Sequence, residues 1–233
     1  MRGSFILLAL ALLLNACSKD RGTKVFTYTF ESDAEGWISG YSDYPANLTP
    51  DDSLNLYEMS YGYSILPASI IPRQSGIRIR GHNRSDDLFM FIKKKINGLS
   101  PLTTYSITFD IELASNAPTN AVGIGGPPGE AVIIKAGARN SEPVNFIDNI
   151  NWYRLNIDKG AQTDGGDDVE ILGNIGVADT TTVYALIRRG SPSSLQKKSD
   201  SSGNLWVIIG TDSGFEGLTE LYYSTVKISL REH

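Results

Sequence analysis

The sequence predicts an all-β fold, a sandwich of two packed antiparallel sheets, and three observations support this. First, every second residue from Tyr105 to Leu113 is apolar, which is the period of a half-buried antiparallel strand. Second, similar runs recur at the spacing expected of a sandwich, and no stretch has a sustained helical period. Third, 23 Gly and 10 Pro are scattered without a repeat, as is typical of many turns between short strands.

The strand at residues 99–114 has turn residues on both sides and is predicted to lie in the core. Residues 88–92 are apolar at every position, which predicts cover on both faces of that strand. Lys93–Lys95, which follow, are interpreted as charges that protect a sheet edge. The predicted strands are residues 24–30, 77–80, 88–96, 99–114, 131–136, 150–158, 183–187, 205–210 and 220–230.

The length of 233 residues suits one large sandwich, and no shift in composition suggests a second domain. We therefore expect a single domain over residues 24–233. The chain has 26 acidic and 21 basic residues. This mildly acidic balance argues against nucleic acid as a partner, since phosphate binding requires a basic face.

The first residues have the pattern of a secretory signal. Arg2 precedes an apolar run at residues 5–14, which is too short to span a bilayer and is followed by small residues. We expect residues 1–16 to be a signal peptide and residues 17–23 to be a short polar tether.

Residues 14–17, Leu-Asn-Ala-Cys, resemble the bacterial lipobox, and Cys17 is the only cysteine in the chain. The resemblance implies cleavage before Cys17, lipidation of that residue and anchoring in the bacterial cell envelope. Ser18 stands where inner-membrane lipoproteins often have Asp, which implies the outer membrane. Several acyl chains, at about 0.8 kcal/mol per buried methylene, give durable anchoring. With no second cysteine, stability must come from core burial and not from a disulfide.

Residues 30–37, 98–113 and 208–226 resemble parts of jelly-roll carbohydrate-binding modules and of the wider galactose-binding-like superfamily. The resemblance implies a jelly roll. Many such modules have an Asp near a structural calcium ion where this chain has Ser224, so that metal site is in doubt. Glu31 and Ser32 could still contribute oxygen ligands, which calcium requires.

Aromatic residues cluster in and around the irregular segment at residues 38–63. Flat aromatic faces beside polar side chains are what sugar rings require. The alternative is that these rings pin the segment to the sandwich. The candidate ligand-binding residues are Trp37, Tyr41, Tyr44, Tyr57, Tyr61 and Tyr63.

Asp164, Asp167 and Asp168 lie in a glycine-containing loop that could hold a structural calcium ion. The alternative is a solvated acidic turn, because the spacing does not match an EF-hand loop.

Catalysis has little support in the sequence. His82 and His233 are the only histidines, and no nucleophile or metalloprotease motif is present. Asp110 and Glu112 share a strand face about 7 Å apart, within the range of a glycosidase pair, but exposed acids are common on sheets.

We expect a non-catalytic, surface-anchored lipoprotein that recognises a glycan or another surface ligand. The alternative is a structural or protein-interaction lipoprotein of the cell envelope, and the remote alternative is a glycan-cleaving enzyme. Convergence of Trp37 and the tyrosines on an open groove would favour the first.

Overall fold

The computed structural model describes residues 22–178 and 182–233. Two antiparallel sheets pack face to face, and a small third sheet covers one of them. The prediction of an all-β, two-sheet jelly-roll sandwich is confirmed. Cys17, the predicted signal peptide and most of the predicted tether lie outside the described residues.

The larger sheet has seven strands. They are β1 (Thr23–Tyr28), β4 (Ser60–Ile65), β5 (Ser75–His82), β7 (Thr104–Ser115), β12 (Ala185–Gly190), β13 (Leu195–Lys198) and β15 (Leu218–Glu232). The order is β12-β7-β15-β5-β4, with β1 also paired to β15 and β13 to β7. β7 is the predicted core strand, and it begins at Thr104 because residues 101–102 form a turn.

The second sheet has five strands in the order β11-β8-β14-β6-β2. They are β2 (Ile38–Ser42), β6 (Leu88–Ile96), β8 (Val132–Arg139), β11 (Val169–Asn174) and β14 (Leu205–Ser213). β6 lies between β14 and β2, so the prediction that Lys93–Lys95 protect an edge strand is wrong. The Lys93 ammonium is instead buried under the segment after β8, where it donates to Glu142 Oε1 at 2.8 Å and to the Pro143 carbonyl at 2.5 Å.

The third sheet has the order β3-β10-β9 and lies on the outer face of the five-stranded sheet. Its strands are β3 (Tyr44–Pro45), β9 (Asn145–Ile147) and β10 (Trp152–Leu155), and a π-helical turn, Asp52–Leu56, follows β3. Leu155 packs on Phe89 and Phe91 of β6. β6 is therefore covered on both faces, as its sequence predicts.

The core lies between the two large sheets, where alternate residues of the central strands meet. Phe109 and Ile111 of β7 and Ile228 of β15 face Met90 and Ile92 of β6, and all are at most 2% exposed. Each such side chain contributes about 1.5–3 kcal/mol by leaving water. Among residues 22–178 and 182–233, no helix is long and apolar enough to cross a bilayer.

Candidate functional site

The six predicted ligand-binding aromatics do not form one surface. Trp37, Tyr41 and Tyr57 are only 6%, 8% and 3% exposed. The Trp37 ring packs edge-on against Tyr28 and Phe30, with centroids 5.4 and 6.4 Å away. No ligand can stack on rings buried in this way, so the role predicted for these three is corrected to anchoring the segment that contains them.

Tyr44 is half-buried between two other tyrosines. Its ring centroid lies 6.2 Å from that of Tyr57 and 5.0 Å from that of Tyr153 on β10. Burial, and secondarily Tyr153, raise the pKa of its hydroxyl. Tyr44 thus ties the irregular segment to the third sheet, and its ring faces have protein neighbours.

Tyr61 and Tyr63 are the two candidates that the structure leaves accessible. They lie on the edge strand β4, where they share a face with Ile65, and the three are 58%, 42% and 47% exposed. Successive members of this row are about 7 Å apart by strand geometry. We call Tyr61, Tyr63 and Ile65 the β4 row.

A groove opens where β15 changes its partner strand. Residues 218–223 of β15 pair with β5, whereas residues 226–231 pair with β1. Between them lie Ser224 and Thr225, at a β-bulge in the pairing with β7. The groove has a volume of about 460 Å³. This junction groove is lined by Thr29, Glu31, Arg73, Gln74, Ser75, Glu112, Ser224 and Thr225.

Hydrogen bonds from outside the groove hold its walls. The Glu35 carboxylate accepts from the amides of Thr29 and Phe30 at 2.9 and 2.7 Å, which fixes the chain as it leaves β1. The Tyr63 hydroxyl donates to the Glu31 carbonyl at 2.9 Å. This bond places Tyr63, the middle residue of the β4 row, at the rim of the junction groove.

Ser224 lines the junction groove beside Glu112. Its side chain is 2% exposed. The hydroxyl is 3.1 Å from the Glu112 carbonyl and 3.0 Å from Glu112 Oε1, either of which accepts its proton. Ser224 therefore satisfies Glu112 and adds no charge to the groove.

The chemistry of the junction groove is that of a hydroxyl-binding surface. Every lining side chain is polar, with carboxylate acceptors on Glu31 and Glu112 and donors on Arg73 and Gln74. Hydroxyl side chains can both donate and accept. With the Tyr63 ring at its rim, the groove combines an apolar face with hydrogen-bonding groups of both kinds.

The predicted calcium loop is a hydrogen-bonded turn. The Asp168 carboxylate accepts from Lys197 Nζ at 2.8 Å and from the Asp158 amide at 3.1 Å. Asp164 and Asp167 are exposed. In the described part of the chain, no three His, Cys, Asp or Glu side chains are grouped so that they could hold a metal ion. The prediction of a metal site at Asp164, Asp167 and Asp168 is therefore wrong, because a cationic partner takes the most buried carboxylate.

The carboxylates considered for catalysis have separate partners. Asp110 forms a two-pronged ion pair with Arg188 at 2.7 and 2.8 Å, while Glu112 accepts from Ser224. His82, the last residue of β5, has Nδ1 3.0 Å from Glu58 Oε1. These pairings do not assemble an acid and a base across a cleft.

A cluster of charged side chains that the sequence does not predict lies between the five-stranded sheet and the segments that cover its outer face. Lys135 and Asp212 are fully buried, with Nζ 2.8 Å from Oδ2. Lys159 Nζ lies 2.8 Å from Asp212 and 3.4 Å from Asp43. The charge cluster consists of the buried Asp43, Lys135 and Asp212 and the partly exposed Asp87, Arg154 and Lys159.

The charge cluster joins the segment that follows β10 to the five-stranded sheet. The Lys135 ammonium also donates to the carbonyls of Lys159 and Ala161 at 2.9 and 2.5 Å, which satisfies all three of its protons. Burial raises the pKa of Asp87 to about 7; Lys159 opposes this, while Asp43 and Asp212 add to it. No local motif signals this cluster, since its members come from distant segments.

The fold and the junction groove define a jelly-roll β-sandwich with an open polar groove beside an accessible aromatic ring. No family model and no curated protein matches the sequence. Solved structures match at low identity. The carbohydrate-binding module TmCBM27, described as recognising mannan, has 12% identity and a TM-score of 0.41 over 90% of this chain and 99% of its own.

Two longer proteins also match. A xylanase 10B fragment of Clostridium thermocellum, with a CBM22-1 and a GH10 module, has 12% identity and a TM-score of 0.42 over 89% of this chain. A bacteriophage CBA120 tailspike has 8% identity and a TM-score of 0.37 over 85% of this chain. The present chain spans only 28% and 20% of these two. At such scores the likeness transfers no function to this chain.

Proposed function

We propose that this chain is a non-catalytic binding protein whose junction groove, with the ring of Tyr63, holds a glycan. One observation carries the proposal: an accessible aromatic ring, 42% exposed, is hydrogen-bonded to the rim of an open groove lined only by polar side chains. The ring offers an apolar face to the C–H groups of a sugar, and the groove offers partners for its hydroxyls.

The lining also indicates the kind of sugar unit. The carboxylates of Glu31 and Glu112 accept hydrogen bonds from hydroxyl groups, and Gln74 both donates and accepts. Two carboxylates in one groove disfavour a highly anionic chain, so we expect neutral, hydroxyl-rich units next to Tyr63. Tyr61, further along the β4 row, provides a second ring for an adjoining unit.

A glycan array followed by titration calorimetry on the purified protein tests this proposal. Tyr63→Ala removes the ring and should weaken binding about tenfold, because half a ring buried by a ligand contributes about 1.4 kcal/mol. Phe146→Ala is the matched control, since Phe146 is 48% exposed on β9, in a different sheet. Failure to bind any glycan class, or equal losses in both variants, would overturn the proposal.

The anchor is a further part of the proposal. The lipobox pattern ending at Cys17 supports lipidation and a place in the bacterial cell envelope, with Ser18 favouring the outer membrane. A glycan-binding domain tethered in this way would hold its ligand at the cell surface.

One observation favours the second candidate, a protein-interaction lipoprotein. The edge strand β9 exposes Phe146 and Ile147, at 48% and 53%, and Val144 and Ile150 beside it are also exposed. An apolar edge strand of this kind can pair with an extended segment of another protein. Loss of a co-purifying envelope protein on Phe146→Ala, with glycan binding absent, would support this candidate.

A further inference from the structure

A second groove, separate in chemistry from the junction groove, lies beside the loop between β4 and β5. Its volume is about 470 Å³, within the range of small-molecule sites, about 300–1,000 Å³. Apart from one arginine, every lining residue is apolar. The apolar groove is lined by Ile65, Leu66, Pro67, Ala68, Ile70, Ile71 and Arg73.

The shape of the apolar groove is preformed. Leu66 and Ile70, at 4% and 6% exposure, are buried in a small core with Ala114 of β7. The loop is held by the Ile70 amide, which donates to the Pro67 carbonyl at 2.9 Å. It is also held by the Ser69 hydroxyl, which donates to the Tyr184 carbonyl at 2.9 Å.

The outer walls of the apolar groove are unusually exposed. Ile71 is 86% exposed and Ile65 is 47% exposed. Because Leu66 and Ile70 are already buried, a ligand needs to order little of the chain to cover Ile65 and Ile71. At about 25 cal/mol per Å² of apolar area, covering both isoleucines would add substantially to the affinity.

Arg73 gives the apolar groove its only charge. It is exposed, and among the described residues no carboxylate lies within 4.0 Å of its guanidinium group. Arg78, Arg80 and Arg188, in the same sheet, are all ion-paired. Arg73 is thus a cation at the mouth of an apolar groove, with its charge available to a ligand.

The residues that line the neighbouring junction groove limit the charge of a ligand that could bind in the apolar groove. Glu31 and Glu112 lie on the other side of Arg73, since Arg73 lines both grooves. A dianion would be repelled by these carboxylates, whereas a single carboxylate matches the one guanidinium and its planar, two-pronged geometry.

We propose that the apolar groove binds an apolar molecule carrying one carboxylate, with its apolar part against Ile65 and Ile71 and its carboxylate on Arg73. This site goes beyond the glycan site and does not depend on it. The two sites adjoin at Arg73, so occupancy of one can be measured in the presence of the other.

Calorimetry with decanoate and decanol, both at concentrations where they are monomeric, tests the proposal on the purified protein. The chains are the same length and differ in charge at the head group. We expect decanoate to bind about tenfold more tightly than decanol. Arg73→Gln should remove this preference and leave decanol binding unchanged, while Ile71→Ser should weaken both ligands several-fold.

The matched control is Arg231→Gln, another exposed arginine with no ion pair among the described residues, which lines a different groove. It should leave the preference intact. Tyr63→Ala should leave decanoate binding intact even if it abolishes glycan binding, so the two proposals fail separately. Equal affinity for decanoate and decanol, no binding of either, or an unchanged preference in Arg73→Gln would overturn the proposal.

Discussion

Lys135 and Asp212 form an ion pair on the adjacent strands β8 and β14, with 2.8 Å between Nζ and Oδ2 and both side chains fully buried. Lys135 also holds two carbonyls of the covering segment. Lys135→Met should therefore destabilise the protein by about 3 kcal/mol, because it leaves those carbonyls and Asp212 with fewer partners. Urea unfolding measures this.

The comparison for that variant is Arg188→Gln. Its partner Asp110 forms an ion pair of similar length, but the Arg188 side chain is 68% exposed. Exposed pairs contribute about 0–1 kcal/mol. If both variants lost the same free energy of unfolding, burial would not be what makes the Lys135 pair important.

Asp87 should make stability depend on pH. Its pKa in the folded protein is raised from 3.8 to about 7, chiefly by burial, so the folded state binds more protons than the unfolded state between these values. Stability then falls as pH rises from about 4 to 7. Because the side chain is 33% exposed, we expect a loss on the order of 1–2 kcal/mol.

Asp87→Asn should flatten that pH dependence. Unfolding free energies measured at pH 5 and pH 8 should differ less in the variant than in the parent protein. An unchanged difference between the two pH values would show that another group is responsible.

Ser224→Asp should destabilise the junction groove. The added carboxylate would be buried beside Glu112 Oε1, which lies 3.0 Å from the present hydroxyl. The expected loss is about 2–3 kcal/mol, since a like charge is buried and a donor is removed. Ser224→Ala, which removes only the donor, should cost about 1 kcal/mol. Thermal unfolding of both variants measures these losses of stability. Equal losses in the two variants would argue against charge repulsion.

Gly76→Ala should strain β5 next to the junction groove. A Cβ at Gly76 would clash with the Tyr223 carbonyl oxygen and lie 2.9 Å from Leu66 Cδ1. Overpacking of this kind costs about 1–3 kcal/mol. Gly62→Ala on the neighbouring strand β4 is the control, since its Cβ would meet nothing within 4 Å. Urea unfolding of both variants should separate them.

Cys17→Ala tests the lipid anchor. If acyl chains on Cys17 hold the protein to the membrane, the variant should move from the membrane fraction to the soluble fraction. Ser18→Ala is the control and should stay with the membrane. Membrane retention of Cys17→Ala would contradict lipid as the only anchor.

The sequence pattern does not predict which of the aromatic side chains are buried and which are accessible. Alternation placed the strands and their buried faces, as at Phe109, because period-two burial is a local property. The same rule could not separate Tyr57, which is buried, from Tyr63, which is accessible. Both fall in a segment without a clear strand pattern in the sequence, although Tyr63 lies on strand β4 in the structure, and which ring is covered depends on packing by residues distant in sequence.

The sequence alone determined the fold class, since alternating apolar residues can be buried only as extended strands packed in layers. The tertiary structure decided the rest: β15 changes partner at Ser224, and this opens the junction groove beside Tyr63 and Arg73. In the tertiary structure Lys135 also lies beside Asp212, and the predicted calcium loop is a turn that is ion-paired to Lys197. These relationships depend on strand order and register, which join residues far apart in the chain and leave no mark in the local pattern.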